Sequence, residues 1–299
     1  MAPASAGAGH EASFRTPRRL KPAPTMSPSS DMIRKPAVSG RFYPSNPDEL
    51  RNALDGFFEP IQPRSRVIGV VVPHAGYVYS GHVAGAVYSR IELPLRNIVL
   101  CPNHTGLGTP LSIMKSGSWQ TPLGQMQIDD ELCSELMKVD PRLKADIAAH
   151  QFEHAIEVQL PFMQQMAGSS VRFVPITLGT SDLERLQTLG HSIAKVVQAV
   201  APEALIIASS DMNHYESDAI TRVKDHKAID QILALNPEGL HEVVRRENIS
   251  MCGYGPTVSM LTAAKTLGAS KAELVKYATS GDVSLDFDHV VGYAGITVS

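Results

Sequence analysis

Three histidines follow apolar runs that have the composition of buried strands. They are His74 after residues 67–72, His104 after residues 97–101 and His214 after residues 204–208. Short runs rich in Val and Ile, bounded by Pro or Gly and separated by helical patterns, are typical of parallel strands buried on both faces. Open α/β sheets place ligand sites outside the carboxyl ends of such strands. The sequence therefore predicts that the three histidines converge at one edge of a sheet.

Imidazoles on neighbouring loops could hold a metal ion or transfer protons near neutral pH. A single histidine at a strand end is more often a hydrogen-bonded loop residue. Three in equivalent positions favour a functional site over that interpretation. Gly76, Gly81 and Gly106 lie close by in sequence, and glycine allows tight turns and a close approach of the backbone.

Cys252 is the candidate sulfur ligand. It precedes a predicted helix, where the helix dipole and free N–H groups favour a thiolate. A thiolate beside two imidazoles suits Fe, Cu or Zn. The alternative is a small buried hydrophobic residue, and we expect that role for Cys133, on the apolar face of a predicted helix. Cys101 ends the strand before His104 and could be an alternative thiol.

Residues 209–214 combine a carboxylate and an imidazole in one predicted loop. His214 could ligate a metal or act opposite it as a general acid or base. Asp211 could orient an imidazole or form an Asx-type turn, and the sequence leaves both interpretations open. Ser209 and Ser210 beside them could indicate a hydrolase, but nothing nearby marks either serine as an exposed nucleophile.

A second polar cluster lies at the start of a predicted helix. His154 and Glu157, three residues apart, would share one helix face. His150 would lie one turn before His154, which permits a second metal pair. The zincin motif needs Glu directly after its first His, and Gln151 occupies that place. We interpret these residues as supporting or capping groups rather than ligands.

The predicted elements alternate between helices and strands. Helices are predicted at 48–58, 80–91, 129–138, 153–166, 181–200, 218–235 and 237–247, with a further helix that ends near 267. Strands are predicted at 67–72, 97–101, 171–178, 204–208, 272–278 and 291–298, with a small antiparallel insertion within 105–128. Pro161 should shift or kink its helix, and Ser181 with Glu184 fits a capping box. The pattern predicts a single α/β domain over residues 34–299, with a mainly parallel buried sheet flanked by helices.

Composition narrows the classes of function. The formal net charge of −3 indicates no basic surface for nucleic acid. No apolar stretch reaches the roughly 18–20 residues of a membrane span. Three cysteines without paired spacing argue against a disulfide framework and favour the reducing cytoplasm. Residues 1–33, rich in Pro, Ala, Ser and Gly, contain no apolar signal region, and we expect a disordered tail there.

Six ordered motifs resemble the Memo family, which is often called AmmeMemoRadiSam system protein B in bacteria and archaea. They lie at residues 38–43, 73–77, 102–104, 153–157, 209–214 and 252–253. The resemblance covers essentially residues 34–299. It implies a fold similar to that of class III extradiol dioxygenases, which are non-haem iron enzymes that cleave catechol rings.

The resemblance also implies roles for individual residues. The implied metal ligands are His74, His104 and Cys252, with cysteine in place of the carboxylate of the ring-cleaving enzymes. His214 matches the acid or base of those enzymes, and Asp211 lies beside it. His154, Glu157 and Tyr77 are assigned to the pocket or to its support. The implied metal is Fe(II) or Cu, with Zn as an alternative.

Three hypotheses of function follow. The first is a metal-binding protein with a dioxygenase-like pocket, which is redox-active or an oxygen-dependent oxidoreductase of unknown substrate. The second is a non-enzymatic protein that binds a peptide or partner, or handles metal, in a vestigial pocket. The third is a Zn-dependent hydrolase. The pocket would take a small molecule or peptide. Family resemblance implies radical SAM and AMMECR1-like proteins as partners. The composition indicates neither a nucleic-acid partner nor a membrane.

Overall fold

The structure is a computed structural model that describes residues 32–60 and 63–299. The disordered tail expected at 1–33 lies outside the described residues, except for Met32 and Ile33. Ile33 already belongs to the folded part, because it begins a short strand that pairs in parallel with Ser118.

Twelve strands and ten helices are formed by the described residues. The strands are β1 (Ile33–Arg34), β2 (Gly69–Val72), β3 (Arg96–Pro102), β4 (Leu111–Ile113), β5 (Ser118–Thr121), β6 (Gly124–Ile128), β7 (Lys144–Ala145), β8 (Arg172–Leu178), β9 (Leu205–Ser209), β10 (His214–Glu216), β11 (Ala272–Thr279) and β12 (Val290–Val298). The helices are α1 (Pro47–Phe57), α2 (Tyr77–Arg90), α3 (Asp130–Val139), α4 (Ala148–Gln151), α5 (Leu160–Ala167), α6 (Leu183–Val200), α7 (Asp218–Leu233), α8 (Pro237–Arg246), α9 (Tyr254–Thr266) and α10 (Gly281–Ser284). Short 3₁₀ helices lie at Glu157–Gln159 and Gly168–Ser170.

The strands form one sheet with a parallel centre. Its central order is β6-β8-β3-β9-β2, and every neighbouring pair in that series is parallel. Consecutive residues of β2 and β9 are fully buried, so both faces of the sheet are covered. The helices α2 and α9 pack on it. The predicted single α/β domain, with a mainly parallel sheet flanked by helices, is confirmed.

On the far side of β2 from this parallel centre, the strand pairs are antiparallel. β12 pairs in this way with β2, β10 and β11. Within the predicted insertion, β5 and β6 form an antiparallel hairpin, as expected. None of the helices in the described ranges combines the length and apolar character that a membrane crossing requires.

Two local predictions were wrong. The segment 153–166 is not one helix, because α5 begins only at Leu160 after the 3₁₀ turn, and Pro161 lies in its first turn. Proline is tolerated there because the first N–H groups of a helix have no intrahelical acceptor. The cap of α6 is Asp182 rather than Ser181, since the Asp182 carboxylate accepts the N–H of Arg185.

The sheet brings three loops to one edge. Because β9 lies between β3 and β2, the carboxyl ends of these strands are neighbours, and Val72 pairs with Ser209. The loops that follow carry His104, Asp211 and His74. These side chains therefore lie at the carboxyl edge of the sheet, where the sequence predicted the site.

Candidate metal centre

His74 and His104 meet at this edge together with a third imidazole, that of His154. The ring centroids of His74 and His104 are 5.2 Å apart. His154 stacks on His104 at 4.7 Å and meets His74 edge-on at 5.5 Å. One nitrogen from each of the three rings lies within 4.8 Å of the others. His74 is buried, His154 is half-buried and His104 is exposed, and together the three histidines could hold a metal ion.

Glu153 orients His104. Its fully buried carboxylate accepts the N–H of His104 Nδ1 at 2.9 Å and the backbone N–H of His104 at 2.6 Å. The backbone N–H groups of His154 and Ala155 also donate to it. Burial alone raises the pKa of Glu153, but the hydrogen bond and charge of His104 lower it to about 2. An ionised carboxylate only accepts, so His104 carries a proton on Nδ1, and the neutral form of the ring has its lone pair on Nε2.

Asp211 holds the loop that carries His74. Its Oδ1 accepts the backbone N–H groups of His74 at 2.7 Å and Ala75 at 3.2 Å. Its Oδ2 lies 3.9 Å from His74 Nε2. Burial raises the pKa of this carboxyl, while the N–H of His74 opposes that shift. Asp211 therefore holds a distant loop and lies near its imidazole. It forms no Asx-type turn, because the N–H of Asn213 donates to Asp225 instead.

Cys252 lies against His74. Its Sγ is 3.2 Å from His74 Nε2 and 3.7 Å from the carbonyl oxygen of Asp211. The sequence favoured a thiolate at Cys252, and the structure does not bear this out. Burial, together with the nearby charge of Asp211, raises the pKa of the Cys252 thiol although it lies just before α9. In the metal-free protein the sulfur is a thiol, and a metal would have to displace its proton.

Two of the three imidazoles are neutral at pH 7. Burial, assisted by the charge of His104, lowers the pKa of His74 to about 3. Burial, together with repulsion from His74 when that ring is protonated, lowers the pKa of His154 to about 4. For His104, burial lowers the pKa but Glu153 more than compensates, so the net shift is upward. Neutral imidazoles have the lone pair that a metal ligand needs.

His214 lies across the pocket from this group. Its backbone N–H donates to Ser250 Oγ at 2.7 Å, and its Nδ1 lies 2.9 Å from the carbonyl oxygen of Ser250. A carbonyl only accepts, so Nδ1 carries the proton and Nε2 remains available as an acceptor. The pocket has a volume of about 560 Å³, and it contains His74, His104, His154, Asp211, His214 and Cys252. Phe42, Tyr215 and Val291 form its apolar wall.

Glu157 and Tyr77 lie outside the lining of this pocket. The fully buried Glu157 accepts hydrogen bonds from Arg34 at 2.6 Å, from Tyr43 at 2.7 Å and from the backbone N–H groups of residues 37 and 38. It therefore ties the segment after His154 to the N-terminal arm of the described chain. Tyr77 donates to the carbonyl oxygen of Val158 at 2.6 Å. Both side chains therefore hold the segment that follows His154 in place without lining the pocket.

Other sequence candidates lie elsewhere. His150 is buried against Trp119 and bonds to the carbonyl oxygen of Asp146, so it forms no pair with His154. Cys133 is fully buried on α3, as expected. Cys101 is also buried, with its Sγ 3.4 Å from Thr177 Oγ1.

Three supporting residues were not identified as such from the sequence. Glu153 lies inside a recognised motif, but only the fold places its carboxylate on His104. Ser209 ends β9 and contacts His74 Nδ1 at 3.0 Å. Gln159 contacts Ser209 from the 3₁₀ turn at 2.9 Å. No local pattern around Gln159 distinguishes it from a surface glutamine.

These observations define a class of protein: a mainly parallel α/β domain with a histidine cluster at the carboxyl edge of its sheet. A family model described as Memo-like protein matches residues 34–297. A MEMO1 family protein of Methanopyrus kandleri is 44% identical over 278 residues, which cover 89% of this chain and 98% of the relative. One from Methanosarcina barkeri is 44% identical over 267 residues, with 89% of this chain and 100% of the relative covered. The chain belongs to the Memo family.

A solved structure shares the fold at low sequence identity. It is an uncharacterized protein of Escherichia coli K12, with a TM-score of 0.52 and 12% identity. The match covers 77% of this chain and 99% of that one. At this identity the likeness describes the arrangement of helices and strands alone.

The donor set fits a metal ion. Bonds of about 2.3 Å to sulfur and about 2.0 Å to nitrogen place two ligand atoms of a tetrahedral zinc roughly 3.5 Å apart. The separation of 3.2 Å between Cys252 Sγ and His74 Nε2 is close to that value. His104 carries the carboxylate partner that metal-binding histidines commonly have.

Proposed function

We propose that this protein binds a redox-active transition metal, Fe(II) or Cu, with Zn as the alternative ion. His74 and His104 are the two proposed histidine ligands, and Cys252 is the proposed third ligand. The observation that carries the proposal is the convergence of the His74, His104 and His154 nitrogens within 4.8 Å, with Cys252 Sγ against His74. Sulfur and imidazole together suit these ions.

The position of His154 raises a specific question about the third ligand. Its nitrogen belongs to the same group as those of His74 and His104, whereas Cys252 contacts only His74 among the three rings. Replacement of the metal by Co(II) separates the two arrangements, because a thiolate ligand produces an intense near-ultraviolet charge-transfer band. We expect the band in the wild type, its loss in Cys252→Ser and its retention in His154→Gln. Retention of the band in Cys252→Ser would reject the cysteine ligand.

Metal stoichiometry tests the site as a whole. Protein prepared without chelators or affinity-column metal is reconstituted anaerobically with Fe(II) or Cu, and the bound metal is counted. We expect one ion per chain in the wild type and a loss of binding in a His74→Ala/His104→Ala double variant. Equal stoichiometry in both proteins would exclude these ligands.

The proposed activity is an oxygen-dependent oxidation of a small molecule in a dioxygenase-like pocket. When bound, the metal would supply Lewis-acid and redox chemistry. His214 would accept or return a proton at Nε2, since its Nδ1 proton is held by Ser250. Asp211 would hold the His74 loop in place and keep its second oxygen facing the pocket. Phe42 and Val291 would exclude water from one side of a bound molecule.

A second candidate is binding without turnover, of a peptide or another partner. Tyr215 supports it, because this aromatic side chain lies at the pocket wall, is 73% exposed and stacks obliquely on His214. Oxygen uptake with a panel of catechols separates the two candidates. Turnover that is lost in His214→Gln supports the oxidoreductase. Saturable binding of the same molecules without oxygen uptake supports the second candidate.

The cellular setting is part of the proposal. We propose a cytoplasmic protein, which the three free thiols of the chain support. Radical SAM and AMMECR1-like proteins are the proposed partners, on the basis of family membership alone.

A further inference from the structure

We infer that Ser209 is a positioning residue that fixes the tautomer of His74, so that the Nε2 lone pair faces the pocket. This inference rests on the proposed role of His74 as a metal ligand for its functional meaning. The hydrogen bonds that lead to it are formed by buried groups of the β9 end and the 3₁₀ turn. For each of these hydrogen bonds, only one assignment of donor and acceptor is compatible with the neighbouring bonds.

The first step is the orientation of the Gln159 amide. Its Nε2 lies 2.9 Å from the carbonyl oxygen of Pro73 and 2.9 Å from Ser209 Oγ. Its Oε1 accepts the hydroxyl of Tyr88 at 3.1 Å. A flipped amide would set two acceptors against each other at Pro73, so the NH₂ group must face Pro73 and Ser209. Gln159 is therefore a donor to Ser209.

The second step is the direction of the Ser209 hydroxyl. Its Oγ lies 2.6 Å from the carbonyl oxygen of Ala155, which can only accept. The single hydroxyl proton is committed to that bond, and one Oγ lone pair is occupied by Gln159. The remaining lone pair of Ser209 Oγ is available to His74 Nδ1, which lies 3.0 Å from the oxygen. Ser209 can satisfy His74 only as an acceptor.

The tautomer of His74 follows from this polarity. Nδ1 must carry the proton that Ser209 accepts, which leaves Nε2 with its lone pair. Nε2 lies 3.2 Å from Cys252 Sγ, on the pocket side of the ring. The opposite tautomer would oppose lone pairs at Ser209 and place a proton where a metal bond is proposed. An imidazole that is 2% exposed has no solvent to relieve that conflict.

The test measures the proton position in the metal-free protein. Nitrogen-15 NMR separates a protonated ring nitrogen from an unprotonated one by chemical shift and by two-bond couplings to the ring protons. The chain has 11 histidines, so a His74→Gln variant identifies the His74 signals. We expect protonated Nδ1 and unprotonated Nε2 at neutral pH in the wild type. A wild-type spectrum with protonated Nε2 would overturn the inference without any further variant.

A pair of serine variants tests the role of the hydroxyl. In Ser209→Ala, Nδ1–H loses its acceptor, and we expect the proton to move partly or wholly to Nε2. Metal affinity should fall roughly 10–100-fold, as when other groups that orient metal ligands are removed. Ser259→Ala is the matched control, because Ser259 is also fully buried but donates to Leu186 on α6. It should leave both the tautomer and the affinity unchanged.

The outcomes keep this inference separate from the proposed metal function. A proton that moves to Nε2 in Ser209→Ala supports the positioning role even if no metal binds to any variant. A Ser209→Ala protein that retains protonated Nδ1 overturns the role even if the wild type binds metal tightly.

Discussion

Glu153 accepts two hydrogen bonds from His104, one from Nδ1 of the ring at 2.9 Å and one from the backbone N–H at 2.6 Å. The same carboxylate thus fixes both the loop after β3 and the rotation of the imidazole. Because its remaining bonds go to the N–H groups of His154 and Ala155, it also sets the position of the third ring. One buried side chain therefore links two of the three imidazoles in the cluster.

Replacement of Glu153 by Gln should weaken metal binding. The amide NH₂ would face an N–H donor and could not accept all four hydrogen bonds, so His104 would lose its fixed orientation. We expect a loss of roughly 10–100-fold in affinity for Co(II) or Zn(II), measured by competition with a coloured chelator. Asp129→Asn is a suitable control, because Asp129 is buried beside Arg96, away from the pocket. Unchanged affinity in Glu153→Gln would contradict this role.

Glu157→Gln should destabilise the fold rather than abolish a ligand. Arg34 and Glu157 form a fully buried ion pair, and removal of one charge leaves the other without compensation. We expect a loss of about 3 kcal/mol in the free energy of unfolding, measured with urea. Glu135→Gln breaks an exposed ion pair with Lys138 and should change little. A stability equal to that of the wild type would show that Arg34 finds another partner.

Asp225 should make stability depend on pH near neutrality. Burial raises its pKa to about 7, although hydrogen bonds from Tyr277 and the N–H of Asn213 oppose the shift. The folded state then holds this proton more tightly than the unfolded state. Its contribution to stability is complete below about pH 4 and is lost as the pH rises to 7, by about 4 kcal/mol.

Asp225→Asn should therefore remove a downward slope in stability between pH 4 and 7. The free energies of unfolding of wild type and variant, compared by urea titration at each pH, should diverge in favour of the variant as the pH rises. Asp230→Asn, at an exposed position of the same helix, is the control. Parallel pH profiles for wild type and Asp225→Asn would contradict the prediction.

Gly85 should tolerate no side chain. A Cβ at this position of α2 would collide with the carbonyl oxygen of Phe57, at the end of α1. We expect Gly85→Ala to lower the free energy of unfolding by about 1–3 kcal/mol. Gly56→Ala is the matched control, because a Cβ there meets nothing within 4 Å. It should stabilise α1 by about 0.5–1 kcal/mol, and a loss of stability in this control would reject the packing argument.

The sequence by itself determined the class of fold and the edge that carries the site. Runs of Val and Ile at 67–72, 97–101 and 204–208 must be buried, and the chain turns directly after each run. The polar residues that follow these runs, above all His74 and His104, could therefore be predicted to lie next to one another at the edge of the sheet. This information is local, because it depends on the composition of short segments and on the general rules of parallel sheets.

Only the tertiary structure decided how the residues between 153 and 159 are used. Their spacing predicted a continuous helix, on which His154 and Glu157 would share a face. Instead, the Glu153 carboxylate accepts the backbone N–H groups of His154 and Ala155, His154 turns towards His74, and Glu157 binds Arg34. His74 and Arg34 lie about 80 and 120 residues before these side chains in sequence. Long-range contacts of this kind, rather than local helix propensity, decide the conformation of the segment.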